Sequence, residues 1–266
     1  MKKTLLTLAL VTTAVVTAQS PKNSESLITD RPDATESPYT VGTGNLQIET
    51  GVLFTDTGND ALNTESTVFN TGLLRYGLNE TIELRLGWDY LNERINSNGT
   101  ELSDINGFAP LLLGAKFELV NENGWIPQIG LMTHLRLPFS AAQEFRPENT
   151  GMEMIFAFDH TLSDKDGIAY NLGARIADDR SLEYIYTVAY GYSFTDRWGA
   201  YAELYGAFPE NTQAYHLWDA GITYLVNNNL QLDATVGTGF NGTAADQNLL
   251  VSLGFSYRIL KNKQLN

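Results

Sequence analysis

Cysteine is absent from all 266 residues. That excludes disulfides, a lipid anchor on an N-terminal cysteine and a thiolate zinc site. Basic residues are scarce, with 17 Lys and Arg against 31 Asp and Glu and a formal charge of −14. A chain this acidic offers no clustered cations to a nucleic acid, so nucleic-acid partners are excluded. Long apolar runs are missing as well. The longest, Leu5 to Val16, holds twelve residues including its threonines, against the roughly 20 that a membrane-spanning helix needs. Catalytic signatures are equally thin. No GxSxG or HExxH pattern occurs, and Asp164-Lys165-Asp166-Gly167 and Asp56-Thr57-Gly58-Asn59-Asp60 do not complete a calcium loop. Turn chemistry accounts for both. Of His134, His160 and His216, only His134 falls on a face shared with polar residues. The expectation is a protein that is not an enzyme and holds neither cofactor nor metal.

What is present points outward from the cell. Lys2 and Lys3, the apolar stretch Leu5–Val16 and the small residues Val16-Thr17-Ala18 form a signal peptide over residues 1–18. Export and cleavage leave a mature chain starting near Gln19 with a formal charge of −16, two units more negative for the loss of Lys2 and Lys3. Residues 19–43 are polar and carry Pro21, Pro32 and Pro38. Beyond them the chain is rich in glycine (23) and aromatic residues (4 Trp, 13 Tyr, 12 Phe), and alternation of period two recurs almost everywhere. In Thr81–Tyr90, Ile82, Leu84, Leu86, Trp88 and Tyr90 share one face, and Thr81, Glu83, Arg85, Gly87 and Asp89 the other.

Twelve such segments can be traced: 45–55, 66–77, 80–91, 109–120, 125–138, 150–162, 167–177, 182–194, 198–208, 214–226, 229–240 and 247–259. Most exceed the usual strand and match the 9–11 residues of a tilted membrane strand. Joins alternate in length. Those at Asn79, 121–124, 163–166, 195–197 and 227–228 are short, while 56–65, 92–108, 139–149, 178–181, 209–213 and 241–246 run longer. Short periplasmic turns, long outer loops and an even strand count define an outer-membrane barrel. Aromatics gather toward both ends, with Trp125, Phe194, Trp198 and Tyr257 at one and Phe54, Trp88, Tyr90, Phe139, Phe208 and Phe240 at the other, as two interfacial girdles do. The expected fold is therefore all-β: a membrane-spanning, antiparallel up-and-down β-barrel of about twelve strands over residues 44–260, with a polar tail at 261–266.

Several stretches resemble the family of outer-membrane transporters named for the meta-pathway of phenol degradation. They are Thr29-Asp30-Arg31-Pro32-Asp33-Ala34-Thr35-Glu36-Ser37-Pro38 with Val41, Gly44 and Gln47-Ile48-Glu49; Leu74-Arg75-Tyr76-Gly77-Leu78 with Glu83-Leu84-Arg85; and a closing hairpin. That hairpin comprises Asp219-Ala220-Gly221 with Tyr224, Gln231-Leu232-Asp233, Gly237-Thr238-Gly239 and Gly254-Phe255-Ser256-Tyr257-Arg258. Gly42-Thr43 departs from the family's proline before Gly44, and the tail displaces the terminal aromatic that many barrels offer to the outer-membrane insertion machinery, leaving Tyr257 or Phe255 to serve. The resemblance implies a bacterial outer-membrane barrel that takes up solutes, with aromatic cargo implied by the name alone.

Alternation assigns the interior. Inward acids are Glu49, Glu83, Asp89, Glu118, Glu153, Asp159, Glu183, Glu203, Asp219 and Asp233; inward bases are Arg75, Arg85, Lys116, Arg136, Arg175 and Arg258, joined by His134. The bases are fewer by four. On the lipid face each charge would cost up to ~2–4 kcal/mol, so these side chains point inward. They form either a ladder of cross-strand ion pairs or a polar path favouring cations and neutral polar solutes over anions. Residues 19–43 are either a disordered leader or a lumen plug built on Asp30, Arg31, Pro32, Asp33, Glu36 and Pro38. In the plug, Arg31 pairs with inward acids such as Glu83 or Glu203, and Asp33 and Glu36 with inward arginines. The partners expected are the lipid bilayer, the insertion machinery during biogenesis and a small-molecule solute that crosses passively. The alternative is a plugged structural barrel that presents its outer loops without transport.

Overall fold

The computed structural model describes residues 26–59, 61–177, 180–242 and 247–261. The expected signal peptide, residues 19–25 and the last five residues of the tail lie outside them. Thirteen antiparallel strands make one sheet: β1 (Leu46–Asn59), β2 (Leu62–Gly77), β3 (Ile82–Ser97), β4 (Thr100–Phe108), β5 (Leu111–Val120), β6 (Gln128–Leu137), β7 (Gly151–Thr161), β8 (Asp166–Ile176), β9 (Leu182–Ser193), β10 (Trp198–Pro209), β11 (Tyr215–Asn227), β12 (Leu230–Gly242) and β13 (Gln247–Ile259). Each strand of the ring pairs with its neighbour. β1 pairs with both β2 and β13, and β3 with both β2 and β5, so twelve strands close on themselves. Closure leaves no open edge in the ring, the condition for placing a sheet in lipid.

The thirteenth strand corrects the sequence reading. Residues 92–108, expected as a loop, continue β3 and return as β4, which pairs with the far half of β3 while β5 pairs with the near half. Asn98 and Gly99 both have positive φ (48° and 77°), the conformation of a two-residue hairpin turn for which Asn-Gly is the favoured pair. Residues 56–65, also expected as a loop, likewise extend β1 and β2 into a tall hairpin. Loop 139–149 instead folds as two single 3-10 turns, Pro138–Ser140 and Gln143–Phe145.

One alternation decides both surfaces. Leu84, Val188, Leu204, Val236 and Leu253 are exposed on the outside of the ring, while Glu83, Arg85, Thr187, Glu203, Thr235 and Ser252 are buried within it. An apolar exterior around a polar interior inverts a water-soluble protein and is the signature of a barrel in a bilayer. The buried apolar cluster within the ring is small: Met132, Ile155 and Ala157, with Ile185 against them. The interior is held together mainly by hydrogen bonds and ion pairs.

Candidate functional site

Residues 26–45 run across the inside of the ring, bonded to walls on opposite sides. On the near wall Asp30 is the hub, with its side chain only 2% exposed. Lys116 Nζ donates to both its carboxylate oxygens at 2.8 Å, Arg85 Nη1 at 2.7 Å, and Arg75 Nη1 lies at 3.2 Å. The Ser37 amide (2.9 Å) and hydroxyl (2.7 Å) donate to the same carboxylate and fold the Pro32–Pro38 stretch into a compact turn. Glu49 accepts the backbone N–H groups of Asp30 and Arg31, both at 3.0 Å. Arg75 also donates to Glu49 and Glu83, at 2.8 and 2.9 Å, and to the Tyr39 carbonyl at 2.8 Å. Arg85 Nη2 reaches Glu36 at 2.8 Å.

These positions converge because the strands place them so. Arg75 and Arg85 are direct partners across β2 and β3, and Lys116 faces Glu83 across β3 and β5. Without the segment, the wall presents Arg75, Arg85 and Lys116 to Glu49 and Glu83, three cations to two anions. Asp30 supplies the missing negative charge, and Glu36 adds a second carboxyl beside Arg85. A buried charge is tolerable only when paired and hydrogen-bonded, so wall and segment complete one another. The three cations around Asp30 hold its carboxyl well below the usual carboxylate range, against the opposing effect of burial.

Arg31 pairs with one of the expected inward acids, Asp233, though not with Glu83 or Glu203. Its guanidinium donates to Asp233 and Ser252, each at 2.9 Å, and to Thr71 at 2.8 Å. Glycine makes this possible. A Cβ on Gly254 would stand 2.3 Å from Arg31 Nη2, and one on Gly51 would stand 2.7 Å from it. Gly130 is bare for the same reason beneath Pro38, whose carbonyl oxygen would lie 2.7 Å from an added Cβ.

The opposite wall holds the segment by fewer contacts. Glu203 accepts the Ala34 amide at 2.7 Å and a short bond from the Thr35 hydroxyl. Thr35 Oγ1 also lies 2.7 Å from Thr187 Oγ1. Asn171 accepts the Glu36 amide at 2.7 Å and returns its own N–H to the Glu36 carbonyl at 2.9 Å. Asp33 forms no ion pair among the described residues, contrary to the arginine pairing expected of it. Burial and the neighbouring Glu203 carboxylate push its carboxyl well above the ordinary range. Burial likewise raises Glu36 to about 7, with Arg85 pulling the other way.

Of the other expected interior residues, Glu49, Arg75, Glu83, Arg85, Lys116, His134, Glu203, Asp219, Asp233 and Arg258 are buried. Asp89, Glu118, Glu153, Asp159, Arg175 and Glu183 are half-buried, and Arg136 is exposed. Across β6–β9, His134, Glu153, Arg175 and Glu183 stand in one register row and bond in sequence: His134 Nδ1 to Glu153 at 2.9 Å, Arg175 to Glu153 at 3.8 Å and Arg175 to Glu183 at 2.7 Å. Arg258 bonds to Asn229 at 3.0 Å, at the short-turn end and away from Asp30. Residues that the charge pattern overlooked include Gln47, Thr71, Asn171, Thr187 and Ser252. All are uncharged, and inward parity was the signal that could have found them.

Three cavities border the segment; the smallest, about 180 Å³, lies against Arg31 and Glu36 beside Thr71, Arg85 and Asp89, and the two larger ones lie toward opposite ends of the lumen. One of about 430 Å³ opens toward the short-turn end beside Asp33, Asp159, Ala189, Gly191 and Tyr201. The other, about 400 Å³, opens toward the long-loop end between His134, Arg136, Glu153, Arg175, Glu183 and Tyr215.

A family model described as "Putative MetA-pathway of phenol degradation" matches residues 29–259. Among solved structures, the COG4313 outer membrane channel from Pseudomonas putida F1 aligns with a TM-score of 0.63 at 13% identity, covering 91% of this chain and 100% of that one. The KdgM porin aligns with a TM-score of 0.51 at 13% identity, covering 79% and 98% respectively. The NanC porin also gives 0.51, at 8% identity, covering 80% and 100%. These likenesses establish a shared fold. No curated protein sequence matches the chain.

Proposed function

Since the chain belongs to this phenol-degradation family, and its interior has the geometry above, we propose that it is an outer-membrane channel for passive uptake of small solutes, with residues 26–43 as a plug that narrows the lumen. In this reading the protein is exported by the leader at residues 1–18, inserts with its short turns in the periplasm, and carries out no chemistry. The observation that carries it is the pair of larger cavities meeting the docked segment from opposite ends of one polar lumen. A barrel built solely as an anchor gains nothing from facing cavities, and an interior filled by ion pairs alone leaves none. Small aromatic solutes are the first cargo to try, on the strength of the family's description.

Deleting residues 19–43 while keeping the leader tests the plug. Single-channel conductance in planar bilayers should rise severalfold, and liposomes should swell faster in small neutral solutes. Unchanged conductance would remove the plug from the account. A barrel passing neither ions nor solutes, with or without the segment, belongs to the structural class.

A further inference from the structure

The two larger cavities lie on the same side of the lumen, and the strands show what separates them. Along β8, inward positions pass from Arg175 in the outer cavity through Gly173 to Asn171, then to Ala169 and Gly167 in the inner one. Along β9 the order is Glu183, Ile185, Thr187, then Ala189 and Gly191. Asn171 and Thr187 are register partners, and Glu203 is paired with Ala189 on the next strand. Between the cavities lie Gly173, Ile185 and the apolar pair Ile155 and Ala157, together with Asn171, Thr187 and Glu203, the three residues that hold Ala34, Thr35 and Glu36. Behind this contact the segment is fixed on the near wall by the ion network of Asp30. On the β8–β10 side it has only hydrogen bonds to wall side chains, three of them between neutral hydroxyl or amide groups.

We propose that the permeation route follows the β8–β10 wall, and that its movable constriction is the layer where Thr35 and Glu36 meet Asn171, Thr187 and Glu203, with the Glu203 carboxylate setting a preference for cations over anions. The proposal rests on the channel reading. A shift of Thr35 and Glu36 parts the segment from this wall while Asp30 stays anchored, so widening the route does not require the segment to leave the barrel. Once Thr35 moves away, Glu203 lies in the path with Asp33 just below it and Asp219 beside it across β10 and β11. That short acidic stretch repels anions and is tolerant of cations and uncharged hydrogen-bond donors. Small residues at Ala169, Ala189 and Gly191 keep the route clear below it.

The cysteine-free chain permits a clean test. Hydroxyls 2.7 Å apart place the Thr35 and Thr187 side chains where two thiols can join, so T35C/T187C should form a disulfide detectable by mass. In planar bilayers the oxidised variant should conduct about tenfold less than its reduced form, and reductant should restore it. E203Q, measured separately under a KCl gradient, should move the reversal potential toward zero. A disulfide that fails to form, an oxidised variant conducting like the reduced one, or an E203Q selectivity equal to wild type would each overturn the route while leaving the channel intact. Silence of the reduced variant and of the wild type alike would overturn the channel reading itself, and the route with it.

Discussion

Replacing Asp30 by Asn keeps the shape of the hub and removes its charge. In the native arrangement one carboxylate, with its side chain 2% exposed, takes bonds from Lys116, Arg85 and two groups of Ser37, with Arg75 at 3.2 Å. The asparagine amide can accept on one oxygen only, and its NH2 would point at a cation. Breaking one partner out of a buried ion pair costs roughly 3–5 kcal/mol because the other partner stays buried and unbalanced. At about 1.4 kcal/mol per factor of ten, docking of the segment should weaken by about 10² to a few 10³-fold. The barrel itself is spared most of this, because Arg75 keeps Glu49 and Glu83 and the strands keep their ladders. The assay is single-channel conductance combined with proteolysis of the N-terminal segment in proteoliposomes. D30N should spend more time in a high-conductance state and expose the segment to protease, with little change in the heat needed to unfold the barrel on a gel. If D30N conducts and resists cleavage like the wild type, the ion network does not hold the segment and the reasoning fails. If it unfolds at markedly lower temperature, the network stabilises the wall rather than the segment.

Other expectations follow from the same contacts. G254A puts a methyl group 2.3 Å from Arg31 Nη2, so it should loosen the segment and raise conductance; addition of R31A should make the glycine change nearly silent, and a full G254A effect in that background would count against the cradle. The pH dependence has a defined sign. Glu36, near 4.5 when free, sits at about 7 when docked, and Asp33 is raised as well. The docked state thus holds protons that the free segment releases, so docking strengthens as pH falls from 8 toward 5 and weakens as pH rises through 7. Conductance should climb over pH 6–8, and E36Q should flatten the part of that climb due to Glu36. Asp30 acts oppositely, and because its carboxyl is held low its contribution is lost only when the pH drops below about 4.

The ring was legible because lipid outside and charge inside impose opposite chemistry on neighbouring residues. Strands β5 to β13 lie within a few residues of the segments read from alternation alone. β4 escaped because Thr100–Phe108 stands above that contrast. Most of its residues are exposed and polar, so no apolar stripe marks it, and only the Asn98-Gly99 turn signalled the hairpin. The inward charges followed from parity, but their partners did not. Arg31 meets residues 202 and 221 positions away, and which acid it meets depends on the space left by glycines inside strands, which alternation does not reveal. Asn171 and Thr187 were passed over because a search for ionisable groups does not see an amide or a hydroxyl, although both have the inward parity of their strands.

Arg31 has one more consequence, which concerns time rather than position. Its three side-chain partners, Thr71, Asp233 and Ser252, sit on β2, β12 and β13, on either side of the junction where the first and last strands meet. They become neighbours only when that junction has zipped, and contacts between residues so distant in the chain are the last to form. An unfinished, still open sheet therefore has nowhere to seat the guanidinium. The segment's final contacts wait for the ring to be whole, and Arg31 then bridges the join from within as a rivet across the point of closure.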